Sequence, residues 1–113
     1  MTFMMQTFYQ FLGLAARANK ISSGEDTVTR GIKTHRFHVV LIFEDASPNT
    51  HKKFKDKCRY YHVPLLQVGT RQMLGTSIGK EERVVIGITD KGFANKLIQM
   101  EDHRMEDHRM EDQ

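Results

Sequence analysis

The chain has 113 residues, 27% of them charged, and a formal net charge of +3, a size that allows one domain with a single core and excludes a separate catalytic domain. Residues 101–113 repeat the letters EDHRM and hold six acids and two bases, a formal −4. Residues 1–100 therefore carry +7, since +3 minus −4 is +7. Such a basic excess is typical of phosphate binders, although proteins that bind no phosphate can also have it.

The first predicted elements are two helices. The first ends near residues 18–20 and is indicated by four apolar residues at helical spacing: Phe8, Phe11, Leu12 and Ala15. The second begins near Gly24, because Ser22 or Ser23 finds an acid three residues later, at Glu25 or Asp26, which is the spacing of a capping box.

The second helix has an apolar side and a polar side. Val28 and Ile32 recur at i and i+4 with His35 close to the same line, so we expect this stripe to pack on a sheet. The opposite side carries Asp26, Arg30 and Lys33. Free N–H groups at the helix start suit phosphates or base edges, and Gly24 would allow a ligand to approach closely. The alternative is a solvated face of mixed charge.

Short strands and further helices follow in alternation. Residues 37–43 (FHVVLIF) predict a strand covered on both sides. Ser47 and Pro48 predict the N-cap and first residue of a helix through residue 61. That helix displays five cations, which we read either as solvated or as general phosphate contacts: Lys52, Lys53, Lys55, Lys57 and Arg59.

The last part of the chain continues the alternation. Residues 63–68 predict a strand, Thr70 begins a helix through Met73 and Leu74, and residues 84–88 predict another strand. Asp90 is expected to cap a last helix, whose apolar residues are Phe93, Leu97 and Ile98. Helices that alternate with short buried strands indicate an α/β sandwich with helices on both faces of the sheet.

Several classes of site are excluded by residue type and spacing. The single Cys58 has no partner for a disulfide or a thiolate metal site, and a reducing compartment is expected. The stretch GTSIGKE resembles a phosphate loop, but only three residues separate Gly75 from Gly79 and Glu81 follows Lys80, which excludes nucleotide hydrolysis. There is no apolar run of about 18 to 20 residues and no signal peptide, so we expect a cytoplasmic protein without membrane contact.

The histidines do not indicate catalysis or a metal centre. No nucleophile or carboxylate pair stands beside one of them at a spacing that acid-base chemistry would require; the scattered ones are His35, His38, His51 and His62. His103 and His108 lie beside acids and could hold a divalent metal loosely. We expect instead that residues 101–113 are disordered or a fraying helix, and we expect no metal and no cofactor.

Three motifs together carry a family resemblance. SSGEDTVTR, then EDASP, then LGxxxG before a Val-rich strand, in this order and at these distances, resemble the ribosomal-protein superfamily that binds kink-turn RNA, of the L-seven-Ae and L-thirty-e type. Within it the chain resembles the small bacterial branch called YlxQ, with GEDxV, KCxYY and GFANKLI also recognisable. The resemblance covers roughly residues 8–100, which defines a domain at 1–100 followed by the repeat tail.

The resemblance implies a three-layer α-β-α sandwich with a small mixed sheet of about four strands. It also implies binding to a sharply bent RNA duplex in which tandem sheared G·A pairs adjoin a bulge. Family residues that reach the guanine edges fall on Gly24, Asp26, Thr27 and Arg30, and Lys33 lies on the same helix. The family loop that covers the extruded bulge nucleotide falls on Ile78, Gly79, Lys80 and Glu81, with Arg83 nearby.

Two of these positions differ from the family pattern, which has Asn at the position of Asp26 and Glu at the position of Thr27. Asp26 accepts hydrogen bonds only, whereas an Asn amide also donates. Thr27 lacks the carboxylate that accepts from guanine amino groups, and Glu25 is its nearest substitute. We therefore expect kink-turn binding that is weaker or differently selective than in the archaeal members.

These observations lead to one functional hypothesis with two alternatives. The hypothesis is a non-catalytic, monomeric RNA-binding protein whose target is a structured RNA. Ribosomal RNA, with the large ribosomal subunit as partner, is one target, and a riboswitch or another structured transcript fits the residues equally well. A protein-interaction adaptor on the same fold is the first alternative and predicts a surface of exposed apolar residues. An enzyme acting on RNA is the second, and the sequence offers no residues for it.

Overall fold

The computed structural model describes the backbone of residues 3–70 and 83–111 and the side chains of residues 7–70 and 83–101. In chain order the elements are α1 (Phe3–Arg17), β1 (Ile21–Ser23), α2 (Glu25–Lys33), β2 (Val39–Phe43), α3 (Pro48–Tyr61), β3 (Leu65–Val68), β4 (Val85–Ile88) and α4 (Lys91–Glu111). The expected helix at Thr70 to Leu74 lies outside the described residues, apart from Thr70 itself.

The four strands form one mixed sheet in the order β1-β4-β2-β3. β4 is antiparallel to both of its neighbours, β1 and β2, whereas β2 and β3 are parallel. The strand β2 lies inside the sheet and all five of its residues are buried, which is why its sequence is a continuous apolar run. The predicted mixed sheet of about four strands is confirmed.

Alternate residues of β2 face two separate cores. Val39, Leu41 and Phe43 pack with residues of α1 and α4, and Val40 and Ile42 pack with residues of α2 and α3. This alternation follows from the two-residue period of a strand. Helices therefore cover both faces of the sheet, and the predicted three-layer α-β-α sandwich is confirmed.

The second helix begins differently from the prediction. Ser22 and Ser23 lie in β1, where they pair with Gly87 and Ile86 of β4, so neither is an N-cap and the predicted capping box is wrong. Gly24 is the N-cap residue, and it makes no side-chain capping hydrogen bond. The backbone of the two serines is committed to the sheet, because pairing with β4 extends their chain up to the residue before the helix.

His35 also lies elsewhere than predicted. The helix α2 ends at Lys33, and His35 follows it with a left-handed φ of 57° and an exposed side chain. Its ring contacts the edge of Tyr61 on α3, with centroids 5.9 Å apart. The apolar stripe of α2 is therefore limited to Val28 and Ile32, which are fully buried as expected.

The predicted starts of α3 and α4 are confirmed. Ser47 Oγ accepts a hydrogen bond from the Thr50 amide at 3.1 Å, with Pro48 in the first turn. Asp90 Oδ2 accepts one from the Phe93 amide at 2.9 Å. The helix α4 continues to Glu111 and so includes the boundary expected at residue 100; the division into a domain and a tail stays a prediction.

Candidate functional site

One end of the sheet brings the predicted RNA-binding residues together. β1 ends there at Ser23, α2 begins, and β4 starts, and the Gly24 amide donates to the Val85 carbonyl at 3.2 Å. A depression of about 550 Å³ lies at this junction. Its lining residues are Ser23, Gly24, Glu25, Asp26, Thr27, Arg83 and Val84.

The amide groups at the start of α2 have no side-chain cap. The first helical hydrogen bond runs from the Val28 amide to the Gly24 carbonyl at 3.0 Å, and Gly24 has no side chain that could accept from the first-turn amides. α3 and α4, by contrast, are capped by Ser47 and Asp90. An uncapped helix start presents free donors and partial positive charge toward whatever enters the depression.

The conformation of Gly24 requires a glycine. Its φ is 100° and its ψ is 146°, a region that L side chains adopt only at a cost of about 1–3 kcal/mol. A Cβ at this position would also lie 3.1 Å from Arg83 Nη1. The absence of a side chain therefore lets the Arg83 guanidinium approach the start of α2.

Arg83 and the free amides of the first turn of α2 place positive charge and hydrogen-bond donors at one corner of the depression. The guanidinium carries a full positive charge, and the helix start carries a partial one of the same sign. The Arg83 side chain is exposed, so water screens this repulsion in the free protein. A ligand with an anionic or hydrogen-bond-accepting group between the two would be attracted by both.

Two carboxylates stand at the mouth of the depression. Glu25 and Asp26 are both exposed, and Glu25 Oε1 lies 4.0 Å from Lys53 Nζ on α3. Both side chains of this pair are about two-fifths exposed, so it contributes about 0–1 kcal/mol to stability. Its main effect is to direct the Glu25 carboxylate toward α3.

A buried aromatic ring fixes α2 on the sheet. Phe37 is 5% exposed and lies between two glycines, Gly31 of α2 and Gly87 of β4. A Cβ on Gly31 would come within 2.2 Å of the ring, and a Cβ on Gly87 within 2.6 Å. The glycines therefore allow the helix and the sheet to approach the ring closely, and α2 is held at a defined height above β4.

The structure brings together most of the predicted site residues that it describes. Gly24, Glu25, Asp26, Thr27 and Arg83 share the depression, and Arg30 and Lys33 are exposed farther along α2. The predicted loop residues Ile78, Gly79, Lys80 and Glu81 lie outside the described residues.

Three residues of the site were not predicted. Ser23 and Val84 line the depression and could have been found as the chain neighbours of Gly24 and Arg83. Lys53 reaches Glu25 from another helix, and no signal in the sequence pairs these two residues.

Other expected properties concern residues outside the depression. Cys58 is buried and free, and desolvation by burial raises the pKa of its thiol to about 11. No group of three metal-ligating side chains occurs among the described residues. Among the described residues, two large apolar side chains are exposed, Leu14 and Tyr60. They lie on different helices and do not form the apolar surface that a protein-interaction adaptor would have.

Within the described residues, no helix is both long enough and apolar enough to span a bilayer.

The chain is similar to known proteins over most of its length. An "RNA-binding protein YlxQ" of Bacillus subtilis is 56% identical over 95 residues, which are 84% of this chain and 95% of that protein. An Enterococcus faecium protein of the same name is 41% identical over 91 residues, 80% of this chain and 87% of the relative. A solved structure from Bacillus halodurans, of unknown function, is 45% identical with a TM-score of 0.82, covering 84% of this chain and 96% of that one.

The family comparison gives the same result. Residues 6–98 match the family described as "Ribosomal protein L7Ae/L30e/S12e/Gadd45 family". The predicted resemblance to this superfamily and to its YlxQ branch is confirmed. The names of the family and of its YlxQ relatives describe ribosomal and RNA-binding proteins, in agreement with the expectation of a non-catalytic protein. The chain belongs to the ribosomal protein L7Ae/L30e/S12e/Gadd45 family.

Proposed function

We propose that this protein binds structured RNA of the kink-turn type, without catalysis, at the start of α2. The observation that carries the proposal is the corner formed by the uncapped first turn of α2 and the Arg83 guanidinium, which meet over Gly24. Membership of the family and the RNA-binding names of the YlxQ relatives support the same function.

The chemistry of the corner suits the edge of a base better than a bare phosphate. Free amides of the first turn donate to acceptors such as the O6 and N7 atoms of guanine. The Glu25 carboxylate can accept from guanine amino groups, whereas the charges of Glu25 and Asp26 would both repel a phosphate. Arg30 and Lys33, exposed farther along α2, supply the positive charge that a flanking phosphate requires.

The departures from the family pattern determine how strong this binding is. Thr27 offers no carboxylate, and its nearest substitute, Glu25, is directed toward Lys53 at 4.0 Å. A guanine amino group must therefore compete with Lys53 for Glu25, or the contact is lost. We expect RNA affinity to be lower than in family members that have a free carboxylate in the first turn.

The first experiment compares two RNA duplexes. The protein is titrated with a simple kink-turn duplex and with the same duplex after its tandem G·A pairs are replaced by Watson–Crick pairs, at several salt concentrations. Preference for the kinked RNA with a shallow salt dependence is the expected result. Equal binding to both duplexes that fades steeply with salt would mean phosphate attraction alone and would contradict the proposal.

Substitution of Arg30 tests the position of the site. Arg30→Ala is expected to weaken binding to the kink-turn duplex by about one to two orders of magnitude, because a charge-assisted contact contributes about 1.5–3 kcal/mol. Lys96→Ala is the matched control, since Lys96 is exposed on α4 at the opposite face of the sheet. If the two variants bind equally well, the site lies elsewhere.

The proposal extends to the RNA that the protein binds in the cell. We propose a cytoplasmic monomer whose RNA is ribosomal, with the large subunit as its partner. Sedimentation with purified ribosomal subunits tests this: the protein should sediment with the large subunit, and Arg30→Ala should reduce the bound fraction. Binding to the kink-turn duplex without binding to subunits would point to another structured transcript.

A further inference from the structure

A second concave surface lies on the other side of α3 from the candidate RNA site. It is a groove of about 840 Å³ between α3 and β3, which forms one edge of the sheet. The lining residues are Ile42, His51, Lys52, Lys55, Cys58, Arg59, Val63, Leu65 and Gln67. None of them belongs to the predicted RNA site, although its three cations are among those interpreted above as solvated or as general phosphate contacts.

One wall of the groove is cationic. Lys52, Lys55 and Arg59 are spaced at i, i+3 and i+7, which places them on one side of α3, and all three are exposed. None has an ion-pair partner among the described side chains, and no carboxylate lines the groove. Asp56 is exposed on the same helix but is not part of the lining. The wall therefore carries three positive charges that no described side chain neutralises.

The floor of the groove is apolar. Ile42, Cys58 and Val63 are buried to at least nine-tenths, and Leu65 is partly buried beside them. Burial keeps the Cys58 thiol protonated, because its pKa is raised to about 11. The floor is thus uncharged, and of these four residues Leu65 is the one that leaves apolar surface for side chains of a ligand to cover.

The other wall is the outer side of β3, which pairs with no further strand among the described residues. The carbonyls of Pro64 and Val68 accept from the amides of Val40 and Glu44, at 2.9 and 3.2 Å. Because donors and acceptors of a parallel strand alternate in direction, the backbone groups of Leu65 and Gln67 point away from β2. These groups can accept a further strand, as exposed edges in other proteins do.

We propose that this groove binds an extended acidic segment of a partner protein. The segment adds a fifth strand beside β3, with its backbone paired to Leu65 and Gln67. Side chains on one face of a strand repeat at about 6.7 Å, and the three cations span about 10 Å of helix at 1.5 Å per residue. Two or three acidic residues at alternate positions therefore face the cationic wall.

RNA would use these features less completely. Phosphates would contact Lys52, Lys55 and Arg59, but neither the apolar floor nor the strand edge offers what a nucleotide backbone requires. An acidic strand uses the cations, the floor and the edge together.

The test uses an eight-residue peptide in which Glu alternates with Val, and an otherwise identical peptide with Gln in place of Glu. Each is titrated into the isotopically labelled full chain and followed by amide NMR. The acidic peptide should shift the amides of Leu65 and Gln67 and slow their hydrogen exchange. The Gln peptide should bind at least tenfold more weakly.

Variants separate the charge from the strand edge. The triple change Lys52→Glu, Lys55→Glu and Arg59→Glu should abolish peptide binding. The control makes the same charge change elsewhere, at Lys20, Lys91 and Lys96, and should retain it. Gln67→Pro should also prevent binding, because it removes an outward N–H that the sheet does not use.

Three results would overturn the proposal. One is the absence of binding at millimolar peptide, and another is equal binding of the Glu and Gln peptides. The third is a loss of affinity for the kink-turn duplex in the triple variant of Lys52, Lys55 and Arg59. Its salt slope would then fall by about 2.7, the value for three phosphate contacts, and the groove would be an RNA surface. None of these results depends on the effect of Arg30→Ala, so the two proposals fail separately.

Discussion

The contact of Gly31 with Phe37 gives a quantitative test of how α2 is positioned. In Gly31→Ala the new Cβ would lie 2.2 Å from Cε2 and 2.4 Å from Cζ of the Phe37 ring. The ring has little room to withdraw toward the sheet, because it also lies close to Gly87 of β4, where a Cβ would come within 2.6 Å of the ring. We expect the clash to be relieved by movement of α2 away from β4, which also moves the first turn away from Arg83.

Two opposing terms set the size of the effect. Overpacking of a buried site costs about 1–3 kcal/mol, and contacts this short place the cost near the upper end. Ala favours a helix interior over Gly by about 1 kcal/mol. The net loss of stability is therefore about 2 kcal/mol, which lowers the urea midpoint by about 1 M for an m-value of about 2 kcal/mol/M.

A double-mutant cycle makes the test specific. Phe37→Leu replaces the ring by a smaller branched side chain, so Gly31→Ala should cost at least about 1 kcal/mol less in that background than in the natural chain. Urea unfolding of the four proteins, with unchanged m-values, measures this coupling. A Gly31→Ala protein that is more stable than the natural one by the helix-propensity term would show that the ring does not limit the approach of α2.

Two further predictions concern residues away from the RNA site. Ser47→Ala removes the acceptor of the Thr50 amide and should lower the free energy of unfolding by about 1 kcal/mol, with no change in RNA affinity; an unchanged urea midpoint would contradict the capping role. The buried thiol of Cys58, with its pKa raised from 9.0 to about 11, should stabilise the fold fully below pH 9 and lose this contribution as the pH rises to 11. This contribution to the free energy of unfolding is about 3 kcal/mol. The stability of Cys58→Ala should therefore fall less between pH 9 and 11 than that of the natural protein, as measured by urea unfolding of both proteins at each pH. An equal fall in both proteins would refute this prediction.

Local signals in the sequence predicted most of the fold. The N-caps Ser47 and Asp90 were recognisable because an N-cap acts on amides only three residues away. β2 was recognisable because both of its faces are buried, which makes its sequence uniformly apolar. These interactions are encoded within a few neighbouring residues.

Pairing between distant residues could not be predicted in the same way. Ile21–Ser23 is a strand only because Ile86–Ile88 lies beside it, and the same serines fit a capping box when considered alone. Arg83 and Gly24 line the same depression, but they lie near the ends of two different strands, β4 and β1. The family resemblance indicated that both residues serve one site, but their spacing in the chain did not.

The charge pattern of α2 suggests that its first turn contacts base edges and its later turns contact phosphates. Asp26→Asn can test this. Glu25 and Asp26 place negative charge at the helix start, whereas Arg30 and Lys33 place positive charge one and two turns later. If the first turn contacts base edges, the Asn amide adds a hydrogen-bond donor that Asp26 lacks, and the gain in affinity should persist at high salt. If a phosphate lies there instead, the gain comes from relief of repulsion and should shrink as salt rises. Titration of both proteins with the kink-turn duplex at low and high salt decides between the two. A gain confined to low salt, or no gain, would contradict recognition of base edges by the first turn.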